Sequence, residues 1–115
     1  MITPSLTQEI TELHADICSA LADPTRILIL YALKEKPSNV SSLAEVLGIS
    51  QSAASRHLNL LRERGIVDSR RDGQSVINYL TDERIIEALD LLRAVLTSKL
   101  KSRAALVEAE PKSGQ

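Results

Sequence analysis

Ser50, Gln51, Ser52, Ser55 and Arg56 stand within seven positions of one another in a chain of 115 residues. These side-chain types can read the edges of base pairs. Arginine bonds two acceptors of guanine, glutamine pairs bidentately with adenine, and serine adapts to either; each good bidentate contact discriminates by about 1–3 kcal/mol. Arg70 and Arg71 follow at a distance, with Gln74 just beyond them, where they could meet backbone phosphates or a minor groove. All five basic residues between 50 and 80 (Arg56, Arg62, Arg64, Arg70, Arg71) are arginines, the better bidentate binder of phosphate and guanine. Other chemistries lack their parts. There is no glycine-rich phosphate loop and no Ser/His/Asp grouping with an orienting acid, and His14 and His57 fall in separate segments. The chain is therefore not expected to be an enzyme.

The elements that would carry these residues can be read from periodicity and caps. Ser5 with Gln8 fits a capping box ahead of Leu6, Ile10, Leu13, Ile17 and Leu21, one apolar helical stripe. Asp23-Pro24 starts a second helix that Pro37 ends. A short third helix begins between Asn39 and Ser42 and closes at Gly48, since glycine accepts the left-handed conformation at a helix C-terminus. Ser50 caps a fourth, reaching about Arg64, with Ala54, Leu58 and Leu61 inside. Ile66 to Arg71 and Ser75 to Leu80 then read as two strands joined at Asp72-Gly73, a type I′ hairpin signal. Thr81 is placed to cap a last helix running to about Arg103. Two helices joined at Gly48-Ile49-Ser50 make a helix-turn-helix, whose second helix can enter a major groove. The hairpin after it is a wing. The expected fold is mainly α with a β-hairpin wing, as one domain over 1–104 and a flexible tail over 105–115.

The whole-chain charge of −1 conceals an uneven distribution. Residues 1–49 carry −3, residues 50–80 carry +2, and the remainder is neutral. A basic head on an acidic body suits duplex DNA. Tyr31 and Tyr79 are the only aromatics, too few for the base-stacking platforms of single-strand binders. No apolar run of 18 residues exists, so no membrane partner is expected. Cys18 is the sole cysteine, which excludes an intrachain disulfide and points to the cytoplasm.

Ala20-Leu21-Ala22-Asp23-Pro24-Thr25-Arg26, followed by Ile27 to Leu30, resembles the entry signature of the ArsR/SmtB family. Ser50 to Leu58, with Leu61 and Arg62-Glu63-Arg64-Gly65-Ile66-Val67, is similar to its recognition helix and exit, and Arg71-Asp72-Gly73-Gln74 through Leu80 to its wing. The resemblance covers about residues 13–100. It implies a dimeric bacterial transcriptional repressor that leaves its operator when an inducer binds. It places Ser52, Ser55, Arg56 and His57 at DNA-contacting positions of the recognition helix, and Arg71 and Gly73 at those of the wing. His57 also reads as a hydrogen-bonded surface histidine. Ser50, Gln51, Arg62, Arg70 and Gln74 complete the candidate DNA-binding set.

The metal-sensing chemistry of that family is not encoded. No cysteine lies near Leu43 to Val46 and no histidine within Asp82 to Lys99, so neither of its metal sites can be built and no cofactor is expected. His14 and Cys18, four apart on one helical face, are the remaining pair of soft ligands. With Asp16 or carboxylates of a second subunit they could bind a metal across a dimer, but two soft ligands per chain make a weak start, and a cysteine on an apolar stripe reads as core. A second stripe, Ile85, Leu89, Leu92, Leu96 and Leu100, with Ile86, Leu91 and Val95 beside it, is wider than one small core needs. The ArsR/SmtB resemblance implies that the last helix, packed with the first (Leu6, Ile10, Leu13), forms the homodimer interface, and twofold symmetry implies a palindromic operator. The alternative is a winged-helix protein-interaction module without DNA binding.

Overall fold

The computed structural model describes residues 1–109. They form two compact units, one over Met1–Glu83 and one consisting of the helix from Arg84 onward. Helix α1 spans Pro4–Leu13 and is capped by Thr3, not by Ser5. The Thr3 hydroxyl accepts the Leu6 N–H at 3.0 Å, and Pro4 takes the first helical position, where its missing N–H costs nothing. Gln8 reaches forward to Glu12 at 3.3 Å instead of back to Ser5. The expected capping box is therefore replaced by a Thr-Pro start.

After Leu13 the ladder changes. His14–Cys18 form one π-helical turn, which widens the helix and shifts the phase of the residues after it. The single stripe read in the sequence is broken there. Leu6, Ile10 and Leu13 are exposed, whereas Ile17 and Leu21 are half-buried.

Helix α2, Pro24–Glu35, starts as expected: the Asp23 carboxylate accepts the N–H groups of Thr25 at 2.8 Å and Arg26 at 3.2 Å. Helix α3, Val40–Leu47, is capped by Asn39 and stopped by Gly48 at φ 67°. Helix α4, Gln51–Glu63, is capped by Ser50 and turns Ala54, Leu58 and Leu61 inward. With Ile29, Leu30, Leu43 and Val67 these residues form the core of the first unit, where α2, α3, α4 and the hairpin converge.

Strands β1, Val67–Asp72, and β2, Ser75–Leu80, pair antiparallel with Asp72 opposite Ser75. The two loop residues are thus Gly73-Gln74, one position beyond the Asp72-Gly73 expected. Only Gly73 has positive φ, at 65°. A type I′ turn needs two such residues, whereas type II′ needs glycine first, so the Asp-Gly signal marks the hairpin but misplaces its register by one residue. Ser38 adds a bridge on the other edge of β2, accepting the Asn78 N–H at 2.8 Å and donating to its carbonyl at 3.1 Å.

Thr81 does not cap the last helix. Its hydroxyl lies 2.6 Å from the Gly65 carbonyl and closes the base of the hairpin. Helix α5 starts at Arg84 and runs to Ala109, past the expected end near Arg103. Ala104, Ala105 and Leu106 are strong helix formers and no glycine or proline intervenes. Residues 105–109 are accordingly helical where a tail was expected, and 110–115 lie outside the described residues. No described helix is long and apolar enough to cross a membrane.

Candidate nucleic-acid interface

At 3.6 residues per turn, the inward line of Ala54, Leu58 and Leu61 puts Ser52, Arg56 and Asn59 on the opposite side of α4. All three are exposed. Ser55 lies beside this face, whereas His57 borders the buried line; both are half-buried. Gln51 is exposed and its amide donates to the Ser41 hydroxyl, tying α4 to α3 across the turn. Ser50 serves the helix itself: its hydroxyl accepts the Ala53 N–H at 3.1 Å and lies 3.3 Å from the Ser52 hydroxyl. Ile49, half-buried, occupies the turn between α3 and α4.

The five arginines of this region divide into two kinds. Arg56 and Arg71 are exposed and have no hydrogen bond or ion pair among the described residues. Arg70 is exposed and sits 5.6 Å from the ring centre of Tyr79. Because Arg70 lies opposite Ile77 and Arg71 opposite Val76, the two point to opposite faces of the wing. Gly73 and Gln74 form its exposed tip.

Arg62 and Arg64 turn inward instead. Arg62 donates to the Asn78 side-chain oxygen at 2.8 Å and to that of Asn59 at 2.6 Å. Arg64 donates to the carbonyls of Ala15 at 2.9 Å and Asp16 at 2.7 Å, and to the Ser19 hydroxyl. The same two carbonyls also face the Ser19 hydroxyl, at 2.6 and 3.1 Å. Charge counting along the sequence cannot tell these two arginines from the open ones.

Asn78 is the residue that sequence reasoning missed. It is the one buried polar side chain among the described residues, 2% exposed. Its oxygen accepts from Arg62, and its amide donates to the Ser38 carbonyl at 3.1 Å. An asparagine inside the apolar run Val76 to Leu80 is the signal that could have found it. It locks α4, the wing and the segment before α3 to one another.

His57 also faces a partner inside the chain. Its Nδ1 lies 3.4 Å from an Nη of Arg26. Arg26 in turn donates to the carbonyls of Ala20 at 2.7 Å and Ser19 at 3.4 Å, with the Asp23 carboxylate at 3.9 Å. Partial burial pushes the Asp23 carboxyl up. The N–H groups of Arg26 and Thr25 and the nearby His57 and Arg26 charges outweigh it and hold the group below the usual carboxylate range.

The residues expected at the dimer surface differ in exposure. Leu92 and Leu96 are exposed along α5, Ile85 is half-buried, and Leu89 is buried. His14 and Cys18 both lie exposed in the π-turn, so Cys18 is not a core residue. No group of three His, Cys, Asp or Glu side chains able to hold a metal occurs among the described residues. The donor set does not fit a metal of the kind that the ArsR/SmtB resemblance implies.

Three core helices, a glycine-stopped turn into a polar-faced helix, and a hairpin behind it define a winged helix-turn-helix regulatory protein. The sequence profile described as bacterial regulatory protein, arsR family, matches residues 23–69. The chain is 37% identical over 89 residues to the nodulation protein NolR of Rhizobium meliloti, covering 77% of this chain and 73% of that one. The crystal structure of Rv0081 from Mycobacterium tuberculosis matches with a TM-score of 0.74 at 35% identity, over 83% of this chain and 96% of that one. The homodimeric winged helix-turn-helix DNA-binding domain of Mb0332 from Mycobacterium bovis shares the fold with a TM-score of 0.75 at 24% identity, over 87% and 93% of the two chains. The chain belongs to the ArsR family of transcriptional regulators, which are not enzymes.

Proposed function

We propose that this regulator is a repressor that binds a palindromic duplex operator as a homodimer and leaves it when an inducer binds, acting in the cytoplasm. The observation that carries the reading is the outward face of α4. There Ser52 and Arg56 stand exposed, with Arg56 unpaired among the described residues, ahead of a wing whose Arg70 and Arg71 are likewise open. In this reading Gln51, Ser52, Ser55 and Arg56 meet base edges, and Arg70, Arg71, Gly73 and Gln74 meet phosphates or the adjacent minor groove. Arg62 supports the wing through Asn78 rather than touching DNA.

The homodimer rests on exposed leucines and an isoleucine that a lone chain would leave in water: Leu6, Ile10 and Leu13 on α1, and Leu92 and Leu96 on α5. Ile85 and Leu89, on the same stripe of α5, complete the expected set. Two recognition helices related by a twofold axis would read half-sites about 34–36 Å apart.

Selection from a random duplex pool tests this directly. The expected product is a palindrome whose half-sites are one helical turn apart, bound with strong salt dependence. Absence of enrichment together with salt-independent or undetectable binding would favour a protein-interaction module instead. The same complex, challenged with small molecules and with zinc, nickel or cadmium, identifies what releases it.

A further inference from the structure

We infer that Arg26 is a positioning residue for DNA reading: whenever the His57 imidazole is neutral, Arg26 holds the ring proton on Nε2, the tautomer that offers a donor to a DNA phosphate oxygen. The inference rests on the reading of α4 as the recognition helix and assigns a role to a residue of α2 that lies outside the reading face.

The chemistry is one of matching donors to acceptors. A guanidinium has five N–H donors and no acceptor. The His57 Nδ1 that faces Arg26 at 3.4 Å must therefore accept. Neutral imidazole has one donor and one acceptor nitrogen, and the partner of one sets the state of the other. The proton is then on Nε2. In the opposite tautomer an Nδ1–H would confront an arginine N–H, while the Nε2 lone pair would meet an anionic phosphate.

Arg26 can impose this because it is anchored before it meets His57. Its Nε and one Nη are taken by the Ala20 and Ser19 carbonyls. Its backbone N–H is held by Asp23, and its side chain is only 15% exposed. His57 is half-buried and stands about 100° round the helix from Arg56. With Nδ1 given to Arg26, Nε2 is the ring nitrogen left to donate to a phosphate.

The test combines a spectroscopic readout with variants. Nitrogen-15 NMR of the imidazole in wild-type protein, in slightly alkaline buffer, should show a dominant Nε2–H form, and Arg26→Met should shift it toward a mixture. His57→Gln, whose amide nitrogen takes the place of Nε2, should bind the selected operator within about threefold of wild type, whereas His57→Asn should bind about tenfold more weakly. Arg26→Met should weaken binding about tenfold in the wild-type background but less than about threefold in the His57→Gln background. Equal losses in both backgrounds would mean a merely structural arginine and overturn the proposal. A dominant Nδ1–H form in the wild type overturns it too, even if Arg56→Ala confirms that α4 reads DNA. Should Arg26→Met not fold, the wild-type tautomer and the Gln/Asn contrast at His57 decide alone.

Discussion

Replacing Asn78 by alanine should detach the wing from the recognition helix, and the cost can be worked out from its contacts. The side chain accepts from the Arg62 guanidinium at 2.8 Å and donates to the Ser38 carbonyl at 3.1 Å, at 2% exposure. A hydrogen bond to a charged group contributes about 1.5–3 kcal/mol and a neutral one about 0.5–1.5 kcal/mol. Arg62 is half-buried and regains some water when its partner leaves, so the lower part of its range applies. The expected loss is about 2–4 kcal/mol, a large share of the roughly 5–15 kcal/mol that holds a small domain folded. Urea denaturation at one fixed protomer concentration measures it, since dimer stability depends on concentration. Arg62→Met should couple to Asn78→Ala in a double-mutant cycle by about 1 kcal/mol or more. DNA titrations add a second readout. Both variants should weaken binding while leaving the slope of log K against log salt unchanged, because Arg62 spends its guanidinium on asparagines. A loss below about 1 kcal/mol, additivity within about 0.5 kcal/mol, or a slope reduced by about 0.9 per phosphate would refute the assignment of Arg62 as a structural arginine.

Four further outcomes are expected. Arg56→Ala should abolish preference for the selected operator over random duplex, a loss of about 1–3 kcal/mol per site, whereas Arg71→Ala should weaken both equally and lower the salt slope by about 0.9 per phosphate lost; electrophoretic or anisotropy titrations at several salt concentrations separate the two. Leu96→Glu should turn a dimer into a folded monomer, seen by light scattering with unchanged circular dichroism. Gly73→Ala should cost about 1–2 kcal/mol through its positive φ alone, because an added Cβ meets nothing within 4 Å; a D-alanine at this position should restore the wing. Asp23→Asn keeps a competent helix cap but removes a carboxyl held below its usual range. A depressed carboxyl stabilises above its unfolded value and loses that stabilisation as pH falls through the lower folded one, so the variant should flatten the acid limb of the stability curve below about pH 4.

The parts of the fold that sequence made legible are those in which a local rule acts alone. Asp23-Pro24, Asn39, Gly48 and Ser50 set helix ends by cap chemistry confined to a few residues, and tertiary contacts had nothing to override. The same rules mislead at Ser5, where Thr3-Pro4 offers a stronger start, and at Thr81, whose hydroxyl finds the hairpin's carbonyls nearer than a helix N–H. The π-turn at His14–Cys18 has no local signature in composition, and one of its contacts, from Arg64 to the Asp16 carbonyl, spans 48 positions. In the site, residue types pick out the outward face of α4, since polarity there follows helical phase. The role of Asn78 is hidden because its partners, Arg62 and Ser38, come from distant parts of the chain.

The arginine count shows what this hidden pairing does to function. A +2 segment with five arginines suggests a head that grips phosphate with all of them. Two of the five are committed to the chain's own carbonyls and asparagines, which leaves Arg56, Arg70 and Arg71. If each of these met one phosphate in both halves of a dimer, the reading heads would neutralise six phosphates. Their contribution to the salt slope would then be no steeper than about −5, against about −9 were all five engaged. If Arg56 turns to a base edge, the slope is shallower still. The −3 carried by residues 1–49 opposes non-specific attraction further. Such a protein gains little by binding arbitrary DNA, so the discrimination it achieves has to come from the few side chains of α4 and from the spacing of two half-sites. That is the division of labour expected of a DNA-binding regulator that selects its site by sequence.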